Sequence, residues 1–295
     1  MLVVSYTTVS PLPGLLLAVC SLWHFPAGHP GWVLPTTLPC GVRTFLDTCV
    51  PRSPGQLVLA KGTATVALVL ILLPPSEGKT APSTGRPLAW RSLAFPELTD
   101  TRKEVVGAVD PLLATAHAAP AIEVYSGVLY AALDAMTLTA TQRARLDDHV
   151  LISSALFGLL RPGDRIPSYS LPAASKVRGL GPLTALWREQ LVHILTTAPR
   201  PILDLRSGAY QVFGAVPHDS CAVGRVLLER NGKRSVVSHH NKATKGRAVR
   251  ALMTSRARHR SIEEIATTLE AAGLTCELHP NRRGPATLDI VTYEL

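Results

Sequence analysis

The sequence predicts a mixed α/β fold, and three observations carry that reading. Short apolar runs bounded by proline or glycine read as buried strands. A long stretch with apolar residues at helical spacing reads as a packed helix, and an Asn-Gly pair between two strand-like segments reads as a hairpin. The two kinds of element mix without a regular βαβ period or an internal repeat, so one mixed sheet with flanking helices is expected over about residues 66–295. At 295 residues, 46% hydrophobic and 17% charged, the chain can bury a sizeable core, and wholesale disorder is excluded. No uncharged apolar run reaches the ~18–20 residues of a membrane-spanning helix, so no membrane partner is expected.

In chain order, Val66–Leu73 is a Val/Leu-rich run ended by Pro74-Pro75, a buried strand. Thr101–Ala119 reads as a helix that Pro111 divides. Thr139 and Gln142 form a capping box ahead of a short helix reaching Asp148. Val150–Leu156 is a strand or an apolar helix, which periodicity alone does not separate. From Pro182, residues Leu183, Leu186, Trp187, Leu191, Ile194 and Leu195 fall on one helical face, a core stripe. Pro201–Leu205 is a short strand. Val223–Glu229 and Ser235–Ser238 flank Arg230-Asn231-Gly232-Lys233, whose Asn-Gly supplies the positive φ angles of a tight hairpin. Ser261 and Glu264 cap a helix that Gly273 ends, and Leu274–Leu278 and Thr287–Tyr293 are closing strands.

Residues 1–65 differ in kind, with four charged residues (Arg43, Asp47, Arg52, Lys61), three of the five cysteines and no sustained period. No basic region precedes the short apolar stretch Leu15–Val19, and Val19 stands where a lipoprotein site needs a small residue, so export is not expected. The segment reads as an irregular extension produced by start assignment, the first convincing element beginning near Val66. Cys221 and Cys276 then remain, without a C-x-x-C pair, which predicts neither a disulfide framework nor a zinc or iron–sulfur site and fits a reducing cytoplasm.

Three segments can carry chemistry. Leu73–Thr80 ends in the Gly-Lys-Thr of a phosphate-binding P-loop, but Leu73 replaces its first glycine, and Pro74 and Pro75 remove two backbone donors. NTP hydrolysis is therefore rejected. What survives is a rigid loop after a strand presenting Ser76, Glu77 and Lys79. In the second segment, Ser153–Asp164, an apolar element runs into a turn at Gly158 with Arg161 at its edge. Such a turn either offers N–H groups to a phosphate or is an ordinary connection packing Leu159 and Leu160 inward. The third lies between Arg225 and Arg260, where eleven Lys/Arg face one acid, Glu229, in a chain of net charge +9. Eleven like charges are costly to hold together unless an anion neutralises them, the alternative being a solvated basic face without a partner. A helix over Asn241–Arg258 would put Lys242, Lys245 and Arg256 on one edge and bury Ala248, Leu252 and Met253 on the other. His239 and His240, if on a strand, point to opposite faces and do not chelate one metal together.

These segments, in this order, resemble the YaaA family of peroxide stress resistance proteins. The matching pieces are Pro75–Thr80, Val124–Gly127, Leu156–Pro162 with Pro167-Ser168-Tyr169, Leu205–Tyr210, and Ser238 through Lys242 to Lys245-Gly246 and Arg250. Ser76–Lys79 replaces a shorter loop found in some members, and the histidine pair replaces an aromatic pair. The resemblance implies a mixed fold with a basic cleft, a helix-hairpin-helix-like element carried onto Phe157–Arg161, double-stranded DNA binding, and a part in limiting damage by iron and peroxide. It places the cleft on Lys79, Arg161, Lys242, Lys245 and Arg250, with Gly158 and Arg247 beside them. From the residues themselves, no cofactor and no metal site are expected.

The leading expectation is thus a cytoplasmic DNA-binding protein of the peroxide response that grips phosphates without reading sequence. A second is an enzyme acting on a nucleotide or nucleobase, with Ser76, Glu77, Lys79, Tyr125, Ser207 and Tyr210 converging in a pocket, although no established catalytic motif is present. A third is a scaffold whose basic face meets an acidic protein.

Overall fold

The computed structural model describes residues 69–235 and 238–293, which fall within one compact unit. The expectation for residues 1–65 lies outside the described residues. Eight strands build the main sheet: β1 (Leu70–Leu73), β2 (Val150–Ser154), β3 (Gly158–Leu160), β4 (Ile202–Asp204), β5 (Cys221–Arg230), β6 (Lys233–Ser235), β7 (Thr275–His279) and β8 (Ala286–Tyr293). Their order is β7-β8-β5-β4-β1-β2-β3, with β6 also paired to β5. Strands β2, β1, β4, β5 and β8 run parallel, whereas β3, β6 and β7 are antiparallel to their neighbours. Strand β1 is central and buried throughout, as its unbroken Leu-Ile-Leu-Leu run requires.

The helices follow local signals. Helix α1 (Thr99–Val109) stops before Pro111, which opens a separate 3₁₀ turn. Two short helices, α2 (Ala121–Val124) and α3 (Val128–Leu133), are joined by Tyr125-Ser126-Gly127, with Gly127 at φ +113°. The expected capping box opens α4 (Ala140–His149): Thr139 Oγ1 accepts from Gln142 N, and Gln142 Oε1 accepts from Thr139 N. Helix α5 (Leu183–Thr197) buries Leu183, Trp187, Leu191, Ile194 and Leu195, the expected stripe. A one-turn helix α6 (Gly208–Gln211) follows β4, and α8 (Ile262–Ala271) is capped by Ser261. Asn231 and Gly232 turn the β5–β6 hairpin at φ +50° and +70°.

Helix α7 (Ser238–Thr254) corrects two expectations. It begins before the histidine pair, so His239 and His240 stand on a helix rather than a strand, and it ends before Arg256. It crosses α3 very closely at Gly246: a Cβ there would lie 2.1 Å from Leu129 O and 2.9 Å from Leu133 N. Only glycine allows that approach.

The segment Phe157–Arg161 also departs from expectation. It is the turn and strand of a β2–β3 hairpin, not the hairpin of two helices. Its carbonyls explain why: the buried Arg102 donates to the oxygens of Phe157 (2.9 Å) and Leu159 (2.6 Å) as well as Ala94 (2.8 Å). Gly158, at φ +74°, lies buried, and a Cβ on it would be 3.0 Å from the Trp187 ring. The structure assigns Gly158 to packing. Two helices joined by a glycine turn do occur, at α2–α3.

Candidate functional site

In open sheets of parallel strands, ligands bind in the crevice outside the carboxyl ends of the strands. Here the edge where β1, β2 and β4 end collects most of the residues singled out above. The loop after β1 is fastened before it reaches Lys79. Tyr130 Oη donates to Pro74 O (2.8 Å), Ser76 Oγ donates to Ser126 O, Ser126 N donates to Gly78 O (3.0 Å), and Thr80 N donates to Val124 O (2.8 Å). Lys79 and Tyr125 form an isolated antiparallel bridge. The double proline that spoils a P-loop thus makes a stiff strap against the α2–α3 turn. Close approach fixes Gly127 too, since a Cβ there would meet Ser76 Oγ at 2.8 Å.

Beneath Lys79 lies an aromatic floor. Tyr125 Oη and Tyr169 Oη are 2.8 Å apart, Ser154 Oγ is 2.7 Å from Tyr169 Oη, and Phe157 N donates to Ser154 Oγ at 2.9 Å. Lys79 Nζ sits 4.4 Å from the Tyr169 ring centroid and 5.7 Å from that of Tyr125, within cation–π range. Burial lowers the Lys79 pKa against the opposing pull of Glu77, and burial raises those of Tyr125, Tyr130 and Tyr169. These phenols stay protonated at neutral pH. A cavity of 570 Å³ opens beside them, lined by Glu77, Lys79, Val109, Asp110, Leu113, Ser168, Tyr169 and Ser170.

The loop after β4 brings in Ser207 and Tyr210. Arg206 holds it: this fully buried side chain grips Asp204 through Nε (2.9 Å) and Nη2 (2.7 Å), and donates to the carbonyls of Tyr210 (3.3 Å) and Gly214 (2.7 Å). Tyr210 is pushed up to about 12, by burial first and the Glu77 charge second. Lys245, reaching in from α7, donates to Leu205 O at 2.8 Å. It is 8% exposed and burial lowers its pKa to about 8, opposed by Asp204.

Ser76, Glu77, Lys79, Tyr125, Ser207, Tyr210 and Lys245 therefore belong to one edge of the sheet. Lys242 and Arg247 are exposed on α7, with Lys242 about one turn nearer the helix start than Lys245. The remaining cations are placed otherwise. Lys245 is not on an exposed helix edge with Lys242, because it joins Ala248, Val249 and Leu252 on the buried face. Arg250 donates to Leu133 O (2.9 Å), Asp134 O (2.8 Å) and Thr137 Oγ1 (2.9 Å), closing the end of α3. Arg161 follows β3, which runs back from this edge, and its backbone N donates to Asp164 Oδ2. Arg225 pairs with Asp289, and Arg234 with Glu229 and Glu277, so part of the basic stretch is neutralised from within. Tyr169 and Ser154 are not among the candidate site residues of the sequence: Ser168 and Tyr169 stand out only as a matching piece, and Ser154 only as a member of the Ser153–Asp164 segment.

The model of the peroxide stress protein YaaA family matches residues 96–278. A UPF0246 protein of Corynebacterium efficiens is 39% identical over 248 residues, spanning 75% of this chain and 99% of its own length. One from Streptomyces coelicolor is 36% identical over 259 residues, spanning 77% of this chain and 100% of its own. The chain belongs to the YaaA family. That membership supports a role in peroxide stress. The family match contains Tyr125, Tyr169, Arg206, Tyr210 and Lys245, while Ser76–Lys79 precedes it. Among the described residues no group of three or more His, Cys, Asp or Glu is placed to hold a metal ion, and no helix is long and apolar enough to cross a membrane.

Proposed function

We propose that this YaaA-family chain binds double-stranded DNA through the edge described above and so limits iron-dependent damage in the cytoplasm during peroxide stress. The observation that supports the reading is that the Lys79 strap and α7 are both fastened to the α2–α3 pair. The Lys79 strap is hydrogen-bonded to the α2–α3 turn, and α7, bearing Lys242 and Arg247, crosses α3 at Gly246. Lysines and a glycine turn between short helices suit backbone phosphates, whose recognition carries no sequence information. A duplex titrated against the full chain at 50–200 mM salt is expected to bind with a steep salt dependence. The Lys242→Ala/Arg247→Ala double variant should lower the slope of log K against log salt by about two. An affinity indifferent to salt and to both substitutions overturns the reading.

The cavity favours a second reading, an enzyme acting on a nucleotide or nucleobase. Lys79, lodged on Tyr169 with hydroxyls at Ser168 and Ser170 around the same 570 Å³, can meet an anionic group while Val109 and Leu113 cover an apolar one. Saturable binding of a nucleotide that Lys79→Met abolishes and duplex DNA does not compete would favour it.

A further inference from the structure

Strand β5 is ten residues long, but its neighbour β4 has only three. Their register ends at Asp204 opposite Val223, so Gly224–Arg230 continue past the end of β4. Because β4 and β5 are parallel, this continuation runs on past β4 at the edge that carries the Lys79 strap, Ser207 and Lys245. Strand β8 accompanies it as far as Tyr293 opposite Glu229, and β6 joins its other side through Lys233 opposite Arg230. Seven residues at about 3.3 Å each give a ribbon extending roughly 23 Å beyond β4.

Charge is distributed unevenly along this ribbon. In the stem each cation has carboxylate partners: Arg225 holds Asp289 at 2.7 Å, and Arg234 holds Glu229 (2.8 Å) and Glu277 (2.7 Å). At the tip, Lys233 is exposed and enters no ion pair among the described residues, and Tyr293 is 57% exposed two strands away. The tight Asn231-Gly232 turn keeps the tip narrow. Lys233 stands exposed at the tip of this stem, opposite Arg230.

We propose that the β5–β6 ribbon is a second DNA contact, whose tip lysine, Lys233, reaches a backbone phosphate some distance along the duplex from those held at the sheet edge. This rests on the DNA-binding reading and adds to it a second point of grip. Measured from the end of β4, about 23 Å is roughly two-thirds of a helical turn of B-DNA.

The test compares Lys233→Ala with Lys242→Ala in the full chain, binding a 25-base-pair duplex across the same salt series. The expected result is that each lowers the salt slope by about one and weakens binding several-fold, while the Lys233→Ala melting temperature matches the parent's. If only Lys242→Ala lowers the slope, the ribbon proposal falls and the DNA reading stands. If neither does, the DNA reading itself falls. Polyglutamate is titrated in parallel. Equal losses for polyglutamate and duplex on Lys233→Ala would show a tip that meets any polyanion, an acidic protein included, and would overturn a DNA-specific role.

Discussion

The two ends of the parallel strands use their nitrogen-bearing side chains in opposite ways. Where β1 and β2 begin, His149 Nδ1 is hydrogen-bonded to Val69 O at 2.8 Å, and Arg145, one turn earlier on α4, donates to the carbonyls of Met253 and Ser255 at the close of α7. These groups satisfy helix-end and strand-end oxygens that would otherwise lack donors. Where β1 and β4 end, Lys79 rests on two aromatic faces and Lys245 has one backbone carbonyl. Both have pKa values lowered chiefly by burial. One end uses side-chain hydrogen bonds to hold the fold together, whereas the other keeps charge at a cost to the fold. Two lysines kept at such a cost beside a cavity are what a binding site selected for something other than stability looks like.

The largest test of this contrast is Arg206, the one cation at the binding edge that serves structure. Arg206→Met strands the buried Asp204 carboxylate and should destabilise the chain by about 3–5 kcal/mol in a denaturant titration. Adding Asp204→Leu to it should recover most of that loss, since no unpaired charge is then left buried. A single variant as stable as the parent would mean that Asp204 is solvated or rearranged and that the loop bearing Ser207 and Tyr210 is not held as described.

Lys245 gives an effect of opposite sign. Its folded pKa, about 8, lies below the ordinary lysine value of 10.5, so the folded state pays to hold the charge at every pH below 8. Between pH 8 and 10.5 the unfolded chain binds more protons than the folded one, and this group alone makes stability rise with pH, by roughly 3 kcal/mol in total. Lys245→Met removes the charge, partly offset by the donor lost to Leu205 O. The variant should be at least as stable as the parent at pH 7, and the parent should gain on it between pH 8 and 10.5. A variant clearly less stable at pH 7, with an unchanged pH difference, would make Lys245 a structural ammonium like the arginines of the other end.

Much of this organisation is legible in the sequence, because it is written locally. The α5 stripe, the α4 capping box, the Asn-Gly hairpin and the stop before Pro111 each need only a few neighbouring residues to specify them. The strap after β1 is legible as a stiff loop for the same reason. What escapes is set by approach between distant segments. Phe157–Arg161 reads as a polar-edged turn until Arg102, some 55 residues earlier, is seen to take its carbonyls. The Gly158 turn reads equally as a phosphate cradle or an ordinary connection until Trp187 is found against it. Lys245 is a partial exception, since its spacing to Ala248, Val249 and Leu252 already puts it on the buried stripe of α7. A rule that lysines face solvent hides that signal.

The smallest effect concerns Arg250, which shares α7 with Lys245 but is used as the arginines of the far end are. Its Nη1 donates to Leu133 O and Asp134 O, and its Nη2 donates to Thr137 Oγ1, at the point where Asp134 turns the chain at φ +47° after α3. Asp134 Oδ2 lies 3.8 Å from Nη1, a half-exposed pair that adds little. Arg250→Gln should therefore cost about 1–2 kcal/mol, the worth of the carbonyl contacts it loses, while leaving the salt slope of duplex binding where it was. The slope is the sharper readout. A fall of about one unit without loss of stability would place Arg250 with Lys242 on the DNA-facing surface, and α7 would then no longer divide into a binding half and a structural half.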